Sequence, residues 1–113
     1  MEHPEISPLE SPRVVVVPAN GHTEDTLVCL AGEHDLSSVE EMVRAITPVV
    51  DAGQSDVVID LSRVEFMDST TLDQILAAHA RLGAEGRTAR IRNPSRPARH
   101  PMELCELTHL VEP

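Results

Sequence analysis

The stretch "VVIDLSRVEFMDSTTLDQIL", Val57 to Leu76, changes its hydrophobic period midway, and that change decides the fold. Val57 to Leu61 is a compact apolar run of the length of a buried strand. It gives way to a knot of small acidic and hydroxyl residues, Asp68-Ser69-Thr70-Thr71. Beyond the knot, Leu72, Ile75, Leu76 and the aliphatic side of His79 recur at helical spacing, until Gly83 and Gly86 end the pattern. Thr88 to Arg92, "TARIR", then alternates polar and apolar, as a strand at a sheet edge does. Strand, helix and strand in this order form a βαβ unit, so 57–61 and 88–92 are expected to run parallel, with a right-handed crossover.

The flanks extend the same alternation. Upstream, Val14 to Val17 is β-branched and reads as a strand, and Ala19 to His22 reads as a turn. Thr26 to Ala31, "TLVCLA", is an unbroken apolar run that suits a strand covered on both faces, and Gly32 to Asp35 reads as a polar loop. Ser37 or Ser38 is placed to cap a helix whose apolar face is Val39, Met42, Val43, Ile46 and Val50. Glu40 and Glu41 in its first turn favour the positive end of the macrodipole. Pro48 is a kink or stop signal, and Gly53 closes the segment. Downstream, Pro94 and Pro97 break the chain. Pro101 is placed to start a last short helix bearing Met102, Leu104, Cys105 and Leu107. Residues 1–12 are rich in Pro, Glu and Ser and read as a disordered tail, which leaves 13–113 as the domain. The expected architecture is a single α/β domain, with a mixed, mostly parallel sheet and the helices mainly on one face.

Composition limits the function. A chain of 113 residues builds one domain with a modest core. Phe66 is the only aromatic residue, so the core must be aliphatic. No apolar stretch is long enough to span a bilayer. The first residues lack a basic n-region and an apolar h-region, so no secretory signal is read and the cytoplasm is the default location. The net charge of −10 argues against direct nucleic-acid binding, and the lack of aromatics removes a stacking platform for bases. The charge is uneven. Residues 1–79 hold 15 acids and three arginines, while residues 80–113 hold four acids and six arginines, and there is no lysine.

Searches for catalytic chemistry return little. The chain has no GxSxG elbow, no glycine-rich phosphate loop and no HExxH. Its six histidines and two cysteines do not show metal-ligand spacing, so neither a metal nor a cofactor is implied. Asp68-Ser69-Thr70-Thr71 has a structural reading: Thr70-x-x-Asp73 matches a capping box, with Thr70 as cap and Ser69 just outside the helix. A phosphate on Ser69 would there face unpaired N–H groups and the positive end of the dipole, opposed by Asp68. Cys29 and Cys105 read as small buried hydrophobes, with a regulatory disulfide between them as the alternative.

The same residues carry a resemblance. "VVIDLSRVEFMDSTTLDQIL" resembles the signature of the STAS family, in particular its bacterial anti-sigma factor antagonists. "LAGEHD", Leu30 to Asp35, is similar to the family's Leu-x-Gly-Glu-x-Asp, and "LCELTHL", Leu104 to Leu110, is similar to its closing turn. The resemblance implies a switch protein rather than an enzyme. It would bind an anti-sigma factor, which in this family is often a serine kinase, and so release a sigma factor. Phosphorylation would break the complex and a phosphatase would restore it. It implies Ser69 as phosphoacceptor, and Glu33, His34, Asp35, Asp68, Thr70 and Thr71 as its neighbours on the partner surface. Thr71 stands where the family has Gly, which predicts added bulk at that surface, and His109 replaces the Gly of the closing turn. The other readings are a ligand-sensing or redox-sensing module and a scaffold in a larger signalling assembly.

Overall fold

A computed structural model describes residues 13–19 and 25–112. The tail expected at 1–12, and all but Ala19 of the turn expected at Ala19 to His22, therefore lie outside the described residues. Four strands form one sheet in the order β1 (Val14–Val17), β2 (Asp25–His34), β3 (Asp56–Met67) and β4 (Ala89–Arg92). β1 pairs antiparallel with β2, and β2–β3 and β3–β4 are parallel. The helices α1 (Val39–Ala52), α2 (Ser69–Ala84) and α3 (Arg96–Leu104) fall between and after the strands. This is the expected mixed, mostly parallel α/β domain, and 57–60 lies parallel to 89–92.

All three helices feed one aliphatic core. Met42, Ile46 and Val50 of α1, Leu72, Ile75 and Leu82 of α2, and Ala98 and Met102 of α3 pack with Val28, Leu30, Ile59, Leu61 and Ile91 of the sheet. β2 does not fit the expectation of burial on both faces. Thr26, Val28 and Leu30 are buried, but Leu27 and Cys29 on the other face are only partly covered. One sheet face carries the helices. The other keeps Val15 and Val17 exposed and gains cover from an ion-paired cluster of Asp25, Arg90, Arg92 and Glu112.

Three boundaries differ from the sequence reading, each for a physical reason. β2 runs through Gly32 and Glu33 to His34, and β3 runs on to Met67. Register shifts at Cys29/Ala31 and Gly32/Glu33, with Gly32 at φ +78°, let the two strands stay paired beyond their apolar runs. Burial in this part of β3 falls on Leu61, Val64 and Met67, so the period of two is lost and the segment resembles a loop. α3 starts at Arg96, well before Pro101. Ser95 caps it by accepting from the Ala98 N–H at 3.3 Å, while its hydroxyl donates to the Val64 carbonyl at 2.6 Å. Pro97 sits in the first turn, where its missing N–H costs nothing.

Candidate functional site

The strand extensions bring the two motif blocks together. Glu33 lies in register with Phe66, and His34 with Met67. The Asp68 N–H donates to the His34 carbonyl at 3.2 Å. The end of β2 and the start of α2 thus form one surface at the C-terminal ends of two parallel strands, a usual place for function in open α/β sheets.

Asp68, not Thr70, is the N-cap of α2. Its Oδ1 accepts from the Thr70 N–H at 3.1 Å and the Thr71 N–H at 3.2 Å. Ser69 is therefore the first residue of the helix, and it is exposed. The cap already takes two of the N–H groups that a phosphate on Ser69 was expected to meet. Such a phosphate would stand next to the Asp68 carboxylate, with those two N–H groups already taken.

On the β2 side, Glu33 is exposed. Asp35 caps a short 3-10 turn, Leu36–Ser38, by accepting from the Ser37 N–H at 2.9 Å and the Ser37 hydroxyl at 2.6 Å. Those bonds hold its carboxyl below the usual range. The Asp35 N–H donates in turn to the Ser38 Oγ at 3.0 Å. Ser38 is thus buried in the turn and makes no side-chain bond to the first N–H groups of α1.

Two residues expected on the partner surface lie beneath it. His34 is 1% exposed, and its Nε2 bonds the Ala31 carbonyl at 2.9 Å. A carbonyl only accepts, so Nε2 carries the proton and Nδ1 is left bare and buried. Burial lowers the imidazole's pKa. Thr71 is also 1% exposed, and its Oγ1 finds no partner among the described residues. The side chain at the position where the resemblance expects Gly is therefore buried and adds no bulk to the surface.

Both cysteines are free: Cys29 is half-buried in β2 on the face away from the helices, and Cys105 is exposed just past α3. Neither is the buried hydrophobe the sequence suggested. His109 lies in a 3-10 turn, Thr108–Leu110, and the positive φ of this region falls on Glu106 at 59°.

Sequence reasoning passed over Phe66 and Leu36, which are 49% and 72% exposed at this same end of the sheet. For Phe66 there was a signal: it is the one aromatic in a chain whose core is aliphatic. Among the described residues no group of His, Cys, Asp and Glu gathers to hold a metal, and no helix is long and apolar enough to cross a membrane.

Residues 19–112 match the family model described as "Mlab, STAS domain". Solved structures with the same fold include the anti-sigma factor antagonist SpoIIAA in its unphosphorylated form, at 22% identity and a TM-score of 0.76 over 88% of this chain and 85% of that one. An anti-sigma factor antagonist from Mycobacterium paratuberculosis is 28% identical, with a TM-score of 0.73 over 95% of this chain and 87% of that one. The Bacillus cell fate determinant SpoIIAA in its phosphorylated form is 21% identical, with a TM-score of 0.70 over 88% of each chain. No curated protein matches the chain in sequence.

Proposed function

The chain belongs to the STAS-domain family, and from that premise we propose that it is an anti-sigma factor antagonist switched by phosphorylation of Ser69. It binds an anti-sigma factor through the surface formed by Glu33, Asp35 and the start of α2, and so frees a sigma factor. The reading is of a binding switch, not a catalyst, acting in the cytoplasm. The observation that carries it is the junction itself: an exposed serine at the first position of α2, tied through the Asp68–His34 backbone bond to the end of β2. The mycobacterial antagonist supports the kind of partner, and the existence of SpoIIAA in two phosphorylation states supports the kind of switch.

The physical logic follows from the cap. Because Asp68 Oδ1 occupies the Thr70 and Thr71 N–H groups, a phosphate on Ser69 keeps its ~1.5–2 negative charges on the surface. A partner closing over it would have to desolvate that charge, which is costly without a matched cation. The partner's serine-kinase activity would write this mark and a phosphatase would erase it. Incubation with purified anti-sigma factors and ATP, followed by peptide mass spectrometry, tests the proposal. A phosphate on Ser69 is expected; a phosphate confined to Thr70, or no phosphate with any of them, contradicts the switch.

A second reading has one observation in its favour. A cleft of about 700 Å³ on the uncovered sheet face is lined by Val15, Cys29, Ala31, Asp60, Ser62 and Arg63. That volume is within the range of small-molecule sites, so a ligand-sensing module is the alternative.

A further inference from the structure

We infer that Phe66 is the apolar anchor of the partner surface, and that it fits a hydrophobic pocket rimmed by basic side chains on the anti-sigma factor. The inference rests on the functional reading above and adds the residue and the chemistry that hold the two proteins together.

Every large hydrophobic group of the core is aliphatic, yet the chain's single phenyl ring stands 49% exposed. It is one residue from the end of β3, three before Ser69, and in register with Glu33. Leu36, 72% exposed, follows β2 at the same end of the sheet. One exposed leucine is ordinary, but an exposed aromatic at the same end of the sheet as a second large apolar side chain, within a motif, is the make-up of an interface centre. Its surroundings state the partner's charge. Glu33, Glu65 and Asp73 are exposed, and none of them enters an ion pair among the described residues. Arg63, exposed three residues before Phe66, and Arg13, whose charge reaches Asp35, are the cations of these motif blocks, and the acids outnumber them, while Arg81, Arg87, Arg90 and Arg92 are committed to Asp51, Glu85, Asp25 and Glu112. The fitting surface is therefore apolar at its centre and positive at its edge. The edge steers the encounter and the centre supplies the affinity. Ser69 belongs to the centre, so a phosphate there must shed water against the apolar wall of the pocket, whatever the sign of the rim.

The test is a titration of a panel of purified anti-sigma factors from the source cell with wild type, Phe66→Ala, Phe66→Arg and Val17→Ala. Val17 is exposed to a similar degree, at 44%, but on the uncovered face of β1. Thermal melts accompany each variant. Phe66→Ala is expected to lose at least about 30-fold in affinity, as truncated anchors do. Phe66→Arg keeps a long surface side chain and should lose at least as much, while Val17→Ala binds as wild type. Association of the wild type should slow as salt is raised. If the wild type binds but both Phe66 variants stay within about threefold of it, the anchor is overturned and the antagonist reading stands. If the wild type binds no member of the panel, both fall. Phe66→Arg also decides the matter should Phe66→Ala fold poorly.

Discussion

Asp68 and Ser69 divide the work that the sequence assigned to one short motif. The block Asp-Ser-Thr-Thr was legible as a helix start, but the choice of cap was not. Asp and Thr are both good caps, and only the φ of −107° and ψ of −178° at residue 68 place the boundary there. Asp68→Ala should therefore lower stability by about 1 kcal/mol, with Thr70→Ala costing much less. Urea denaturation of the two variants checks this, and the reverse order would restore the cap to Thr70. His34 was expected on the partner surface because Gly32 to Asp35 reads as a polar loop and the resemblance places that loop there. Alternation along β2 instead turns it inward. Its burial has a consequence in pH. The folded imidazole resists the proton that the unfolded one takes up near 6.5, so the unfolded state binds more protons below that value. Stability should fall as pH drops below 6.5, until the lowered native pKa is reached. Denaturation midpoints from about pH 8 to about pH 5 should show that slope in the wild type and lose part of it in His34→Gln. Equal slopes would contradict the assignment.

At the scale of elements, β1, the inner faces of α1 and α2 and the βαβ unit were legible because their apolar periods are clean, whereas of the residues read onto the last helix Leu104 and Cys105 are exposed. The second halves of β2 and β3 were not legible: β2 runs on through Gly32, Glu33 and His34 with no apolar residue, and in β3 burial falls on every third residue, Leu61, Val64 and Met67. The start of α3 was hidden by two prolines, since Pro97 breaks a helix interior but suits its first turn. Arg87 was missed entirely. It is 7% exposed and closes the end of α1, donating to the carbonyls of Val49 at 3.0 Å, Val50 at 2.8 Å and Ser55 at 2.8 Å, and pairing with Glu85. Gly53 makes room for it: a Cβ there would lie 2.7 Å from the Val49 oxygen and 3.1 Å from Arg87 Nη2. No sequence pattern marks an arginine that caps a helix from more than 30 residues away. Arg87→Met should cost roughly 2–5 kcal/mol by leaving these carbonyls unpaired, and Arg87→Lys should recover only part, since an ammonium cannot reproduce the planar fork. Chemical denaturation measures both. A loss under about 0.5 kcal/mol for Arg87→Met would show that water replaces the clamp.

For the whole molecule, an aliphatic core, one sheet with helices on a single face and two joined motif blocks present the end of β2 and the start of α2 as one surface. On the proposed reading, a phosphate on Ser69 would change the charge of that surface, and the loss of a well-paired interface group costs roughly 2–5 kcal/mol. At 1.4 kcal/mol per decade, that is about thirty- to several-thousand-fold in affinity. The most direct test is calorimetric titration of one cognate anti-sigma factor with wild type, Ser69→Ala and Ser69→Asp. The account predicts that Ser69→Ala binds as wild type and escapes phosphorylation, while Ser69→Asp binds at least about thirtyfold more weakly with an unchanged melting temperature. Binding of Ser69→Asp as tight as wild type would contradict it, and would leave Asp68-Ser69-Thr70-Thr71 as the start of a helix and nothing more.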